Sequence, residues 1–229
     1  MKKYPCPSCG AEIPFRTSIT AHAVCAYCRT MVVRDDEGLS KTGDMAQLPD
    51  DMSPFQIGSE GVFQGVRFGI VGRMKIGWDG GAWNEWFIVS DDARKGWLAE
   101  AQGFYAPCFE VPDLHSRTHD TIADIFSQVK REPEGNWQGK RSQLGIRIQI
   151  DKVQYRVVDI KEAECVGSEG ELPFKAPKGM RRQSIDFVGA GGRFASAEET
   201  EKGGVSVFTG AYVAWDDLKC RYFRQFEGW

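Results

Sequence analysis

A chain of 229 residues suits two or three compact units, and 26 glycines with 12% aromatic residues favour short strands and tight turns over helical bundles. The formal charge of −3 supplies no broad cationic surface, which argues against generic attraction to nucleic acid, and no stretch approaches the ~18 apolar residues of a membrane span. Lys2-Lys3 leads into no apolar signal core, so the chain reads as cytoplasmic, with no direct membrane insertion.

Near the N-terminus, Cys6-Pro7-Ser8-Cys9 and Cys25-Ala26-Tyr27-Cys28 stand fifteen residues apart. Two such turns joined by a hairpin bring four thiolates around one ion, so residues 1–34 read as a zinc ribbon with Cys6, Cys9, Cys25 and Cys28 as ligands. With every position filled by protein sulfur, zinc here is structural and leaves no open site for water or substrate. An iron–sulfur cluster or a redox pair are the alternatives. Gly10 follows the first pair, where positive φ turns backbone N–H groups toward sulfur; Arg29 stands at that place after the second. His22 reads as a solvated hairpin residue. Cys108, Cys165 and Cys220 remain as reduced core thiols.

Residues 35–57 read as a solvated, mobile acidic linker, since Asp35 to Glu60 holds seven acidic residues against the single Lys41, with Pro49 and Pro54. A first β unit follows at 58–111. Phe63, Val66, Phe68 and Ile70 flank the turn Gln64-Gly65, and strands are predicted at Trp83–Ser90, Gly96–Glu100 and Phe104–Phe109. The connector 112–143 carries one short helix, because Ile122, Ile125, Phe126 and Val129 repeat at i, i+3, i+4 and i+7, with Thr121 and Asp124 as a capping-box-like start. Lys130 to Arg141 reads as an exposed basic loop. A second β unit fills 144–229, with strands at Leu144–Ile150, Val153–Ile160, Ser184–Val188, Arg193–Ser196 and Val205–Tyr212.

The two β units are related by a constant offset. Gly145 lies 87 positions after Gly58, and the same step carries Phe63 to Ile150, Val66 to Val153, Phe68 to Tyr155 and Ile70 to Val157. The predicted fold is therefore mainly β: an N-terminal zinc ribbon, then two related small β-barrel-like units with a short connecting helix.

Gly72-Arg73, Trp83-Asn84-Glu85-Trp86, Trp97-Leu98-Ala99-Glu100, Gly170-Glu171-Leu172-Pro173 and Val207-Phe208-Thr209-Gly210 resemble the bacterial domain of unknown function 4178, over roughly Gly58 to Leu218. The ribbon resembles those that some members carry. The resemblance implies a membrane-stress or polyamine-related context and transfers no catalytic residue.

Candidate sites beyond the cysteines are few. Trp83, Glu85 and Trp97 are the candidate ligand residues, an aromatic cage with a carboxylate suited to a small polyamine-like cation; the competing reading is core packing, with Trp83 and Glu85 on one strand face and Trp86 on the other. His115 and His119 with Asp113 or Asp120 are a candidate metal group against a loop reading. Glu169 and Glu171 read as turn residues. Nucleophile–base pairs, P-loops and dinucleotide fingerprints are missing, and Glu85, Glu100 or Glu171 could supply only a carboxylate pair. The function expected is a binding or adaptor protein with a protein partner.

Overall fold

The computed structural model describes residues 1–48, 51–78, 80–130, 141–200 and 204–226. Five short strands come first: β1 (Lys2–Pro5), β2 (Glu12–Phe15), β3 (His22–Val24), β4 (Thr30–Arg34) and β5 (Leu39–Asp44). Five more follow as β6 (Glu60–Phe63), β7 (Val66–Trp78), β8 (Gly81–Ser90), β9 (Lys95–Ala101) and β10 (Phe104–Glu110). After helix α1 (Ser116–Lys130) come β11 (Arg147–Ile150), β12 (Val153–Leu172), β13 (Arg181–Gly189), β14 (Arg193–Glu199) and β15 (Val205–Ala211). The protein is mainly β, as the glycine-punctuated alternation predicts. No described helix is long and apolar enough to cross a membrane. Residues 131–140 of the basic stretch lie outside the described residues.

The chain divides into two compact units, and the division does not follow chain order. One unit comprises Met1–Tyr105, Glu164–Met180 and Ala214–Trp229; the other Ala106–Ala163 and Arg181–Val213. In the first, β6 through β9 form an antiparallel meander, and the last third of β12 pairs with β7 on one side and β3 on the other. β3, β4 and β5 continue that antiparallel order, while among the described residues β1 and β2 pair only with each other. The core of this unit includes an aromatic cluster in which Phe55 packs on Trp86, Tyr105 and Trp215, with ring centroids 5.9, 5.8 and 5.2 Å apart. Within 35–57, read in sequence as a linker, the chain forms β5 and buries Met45, Leu48 and Phe55.

In the second unit, β13, β14 and β15 form a meander and β11 pairs with the start of β12. Helix α1 buries Thr118, Ile122, Ile125, Phe126 and Val129 against a core that includes Ile148, Ile150, Ile185, Phe187, Ala195, Ala197 and Val207. The apolar spacing located its face correctly. Its start lies five residues before the expected Thr121, whose hydroxyl instead donates to Arg117 O at 2.8 Å inside the helix.

The hairpins at the two ends of the offset are alike in detail. Phe63 pairs with Val66 across Gln64-Gly65, and Ile150 with Val153 across Asp151-Lys152. All four central residues have positive φ, 51° and 81° in the first turn and 47° and 66° in the second, as a two-residue turn matched to strand twist requires. The closing bonds agree as well. Gly58 N–H donates to Ile70 O and Gly145 N–H to Val157 O, at 2.8 and 2.9 Å; Ile70 N–H donates to Ser59 O and Val157 N–H to Ile146 O, at 2.8 and 2.9 Å.

Candidate metal centre

The two CxxC turns are built the same way. Cys6 N–H donates to Ala11 O and Gly10 N–H to Cys6 O, at 2.8 and 2.9 Å; Cys25 N–H donates to Thr30 O and Arg29 N–H to Cys25 O, at 2.9 and 3.0 Å. Gly10 takes φ 75°, and Arg29 takes φ 62° in the matching place, so the second turn reaches the glycine conformation without glycine. That strain is tolerated because the turn is held at both ends by these bonds.

The four sulfurs all lie within 4.8 Å of one another, with Cys6–Cys28 at 3.6 Å and Cys9–Cys25 at 3.8 Å. A tetrahedron of sulfurs about 2.3 Å from a central ion has edges of about 3.8 Å, so the donor set fits a four-coordinate thiophilic cation. Cys6 and Cys25 are buried beside Ile13, Phe15, Ala23 and Val32, whereas Cys9 and Cys28 face outward. Thr30, through its hydroxyl and backbone, holds the Cys28 thiol down at about 6. Ala11's backbone draws Cys9 down, but the crowding sulfurs of Cys28, Cys6 and Cys25 outweigh it and push that thiol up to about 12. Among the described residues, this is the only group of His, Cys, Asp and Glu placed to hold a metal. His115 instead accepts from Arg117 N–H at 3.2 Å, and His119 lies 3.3 Å from Asp120.

The loop between β2 and β3 joins the two cysteine hairpins, and Glu171 of β12 holds it. Glu171 is 1% exposed. Its Oε1 accepts from Arg16 N–H at 2.6 Å, and its Oε2 accepts from the Thr20 hydroxyl at 2.6 Å and from the N–H and hydroxyl of Thr17, both at 3.3 Å. From the other side Arg34, stacked 4.6 Å over the Phe15 ring, donates to Thr20 O at 2.7 Å and Ser18 O at 3.1 Å. Glu171 reaches this place because β7 and β12 approach closely at the Gly72–Gly170 pair, where a Cβ on Gly72 would overlap the Glu171 carbonyl. Sequence reasoning took Glu171 for a turn residue, since the polar, glycine-bearing run before it gives no strand alternation.

The other sequence candidates are placed as follows. Trp83 and Glu85 share a face of β8, and Trp83 Nε1 donates to Glu85 Oε1 at 2.6 Å. Trp83 also stacks 5.2 Å from the half-exposed Trp78. Trp97, opposite Phe87, is 3% exposed and packs between Phe87 and Phe174, with centroids 5.0 and 6.1 Å away. Glu100 pairs with Asn84 and so points to the face opposite Glu85.

On that opposite face lies a polar network that sequence reasoning missed. Arg73, 2% exposed, sits 4.8 Å over the Trp86 ring, donates to Asn84 Oδ1 at 3.1 and 2.7 Å, and pairs with Glu169 at 3.3 Å and with Asp51. Lys75 reaches Asp51 at 2.8 Å. Glu100 Oε2 accepts from Ser53 at 2.6 Å, Trp86 Nε1 at 2.8 Å and Asn84 at 3.0 Å. Such dense pairing anchors Asp51 and Ser53 to the sheet.

The chain is thus a mainly β protein with a closely spaced cluster of four cysteines near its N-terminus. The model of the domain of unknown function 4178 matches residues 56–214, and the chain belongs to that family. The cysteine hairpins lie outside the matched span. No curated protein and no solved structure matches the chain.

Proposed function

We propose that this protein is a non-catalytic zinc-ribbon binding or adaptor protein, its four cysteines holding zinc for structure and its ribbon presenting a surface to a protein partner. The close cluster of four cysteine sulfurs carries this reading, because a cage closed by four thiolates stabilises a small module and offers no position to a substrate. Tyr27, between Cys25 and Cys28, is 79% exposed, and a large aromatic held on a metal-fixed turn is the type of residue that anchors protein contacts. The two alike hairpins support a tandem repeat as the origin of the β body. The setting proposed with it is bacterial and cytoplasmic, membrane-stress or polyamine-related.

A photo-crosslinking residue in place of Tyr27 tests the reading in cells. One dominant cross-linked protein, lost in Cys9→Ser, is expected; no cross-link, or one unaffected by Cys9→Ser, counts against the ribbon as a docking surface. A second reading, a small cationic-ligand sensor, draws on the Trp78–Trp83 pair beside Glu85. Calorimetric titration with spermidine separates the two, since the adaptor gives no saturable heat and the sensor gives heat that Glu85→Gln abolishes.

A further inference from the structure

The ribbon is attached unequally. Its second cysteine hairpin, β3–β4, is part of the body sheet: Val24, Ala23 and His22 pair with Gly170, Glu171 and Leu172, and β4 pairs onward with β5. Its first hairpin, β1–β2, pairs among the described residues only with itself. What fastens that hairpin is the small core of Ile13 and Phe15 against Ala23 and Val32, the stacking of Arg34 on Phe15, the sulfur cage through Cys6 and Cys9, and the capping of Arg16 and Thr17 by Glu171.

We infer that β1–β2 is a metal-fastened flap over Glu171: with the cage filled the flap is closed and Glu171 capped, and with the cage emptied the flap opens while β3–β5 stay on the body sheet. The inference rests on the tetrathiolate reading. A four-residue hairpin pair is too small to hold its place alone. Two of the four ligands lie on the flap and two on the fixed hairpin, so the ion bridges the moving part to the stationary one. Opening uncovers a carboxylate and the Phe15 face, both nearly inaccessible when closed. Because coupling is reciprocal, weakening the Glu171 contacts must weaken metal binding even though Glu171 touches no sulfur.

Hydrogen exchange on the full chain, before and after stripping with a chelator, tests this. Elemental analysis of the untreated sample comes first, and a metal-free sample at that stage overturns the tetrathiolate reading and the flap with it. With metal present, stripping should raise exchange in residues 2–17 at least about tenfold while residues 22–34 and 165–172 keep their protection. Unchanged exchange in 2–17 overturns the flap alone, as does equal loss in 2–17 and 22–34. Competition with a zinc indicator supplies the second readout. Glu171→Gln and Thr17→Ala should each weaken zinc binding, Glu171→Gln by about tenfold. Wild-type affinity in both variants overturns the coupling, and Thr17→Ala keeps that test available should Glu171→Gln fail to fold.

Discussion

Replacing Arg73 by methionine should be among the most costly single changes in the first unit. The guanidinium is 2% exposed, lies 4.8 Å over Trp86 and serves Asp51, Glu169 and Asn84 together. Methionine keeps much of the volume but leaves those acceptors facing an apolar group. Breaking a buried charge pair from one side costs about 3–5 kcal/mol. Asp51 retains Lys75 at 2.8 Å and Arg224 at 3.5 Å, and Glu169 is a third exposed, which places the loss near the lower end, about 3 kcal/mol. Arg73→Lys should still cost about 2 kcal/mol, because an ammonium cannot meet three partners with a planar fork. Urea denaturation followed by tryptophan fluorescence measures the loss, with Trp86 beside the substitution. A cost below about 1 kcal/mol for Arg73→Met would refute the view that this network pins the 51–55 segment to the sheet.

Burial would raise the Asp51 carboxyl, but the hydrogen bond from Lys75 and the charges of Arg73 and Lys75 outweigh it and hold it below the usual carboxylate range. A lowered folded-state pKa stabilises above the unfolded value and is lost as pH falls, so Asp51→Asn should flatten the acid side of the stability curve below about pH 4; an unchanged acid limb contradicts this. Lys152 holds φ 66° in a turn that favours glycine, so Lys152→Gly should raise stability by about 0.5–1 kcal/mol in thermal denaturation, and a loss of stability would count against the turn assignment.

The parts of the fold visible in the sequence are those with local physical signatures. Two CxxC turns, a helix with one apolar face and two hairpins separated by 87 residues all announce themselves within about a dozen positions. What stayed hidden depends on distant partners. Met45, Leu48 and Phe55 act as single pegs without periodicity, so an acidic run concealed them. Glu171 is a charged residue in a glycine-bearing stretch, and only the close approach of β7 to β12 turns it inward. Arg73 has no local mark of burial, because its partners come from residues 51, 84 and 169. The tryptophan candidates share a strand face but differ in burial: Trp83 and Glu85 meet at its half-exposed end, while Trp97, opposite Phe87, is enclosed by Phe87 and Phe174.

The most direct measurement is metal content joined to thiol counting on the purified full chain. Native mass spectrometry should show about one zinc per chain, with Cys6, Cys9, Cys25 and Cys28 shielded from alkylation until a chelator is added and then modified together. Less than about half an equivalent of zinc after metal-replete expression, or those four thiols reacting at the same rate with and without chelator, would contradict the account.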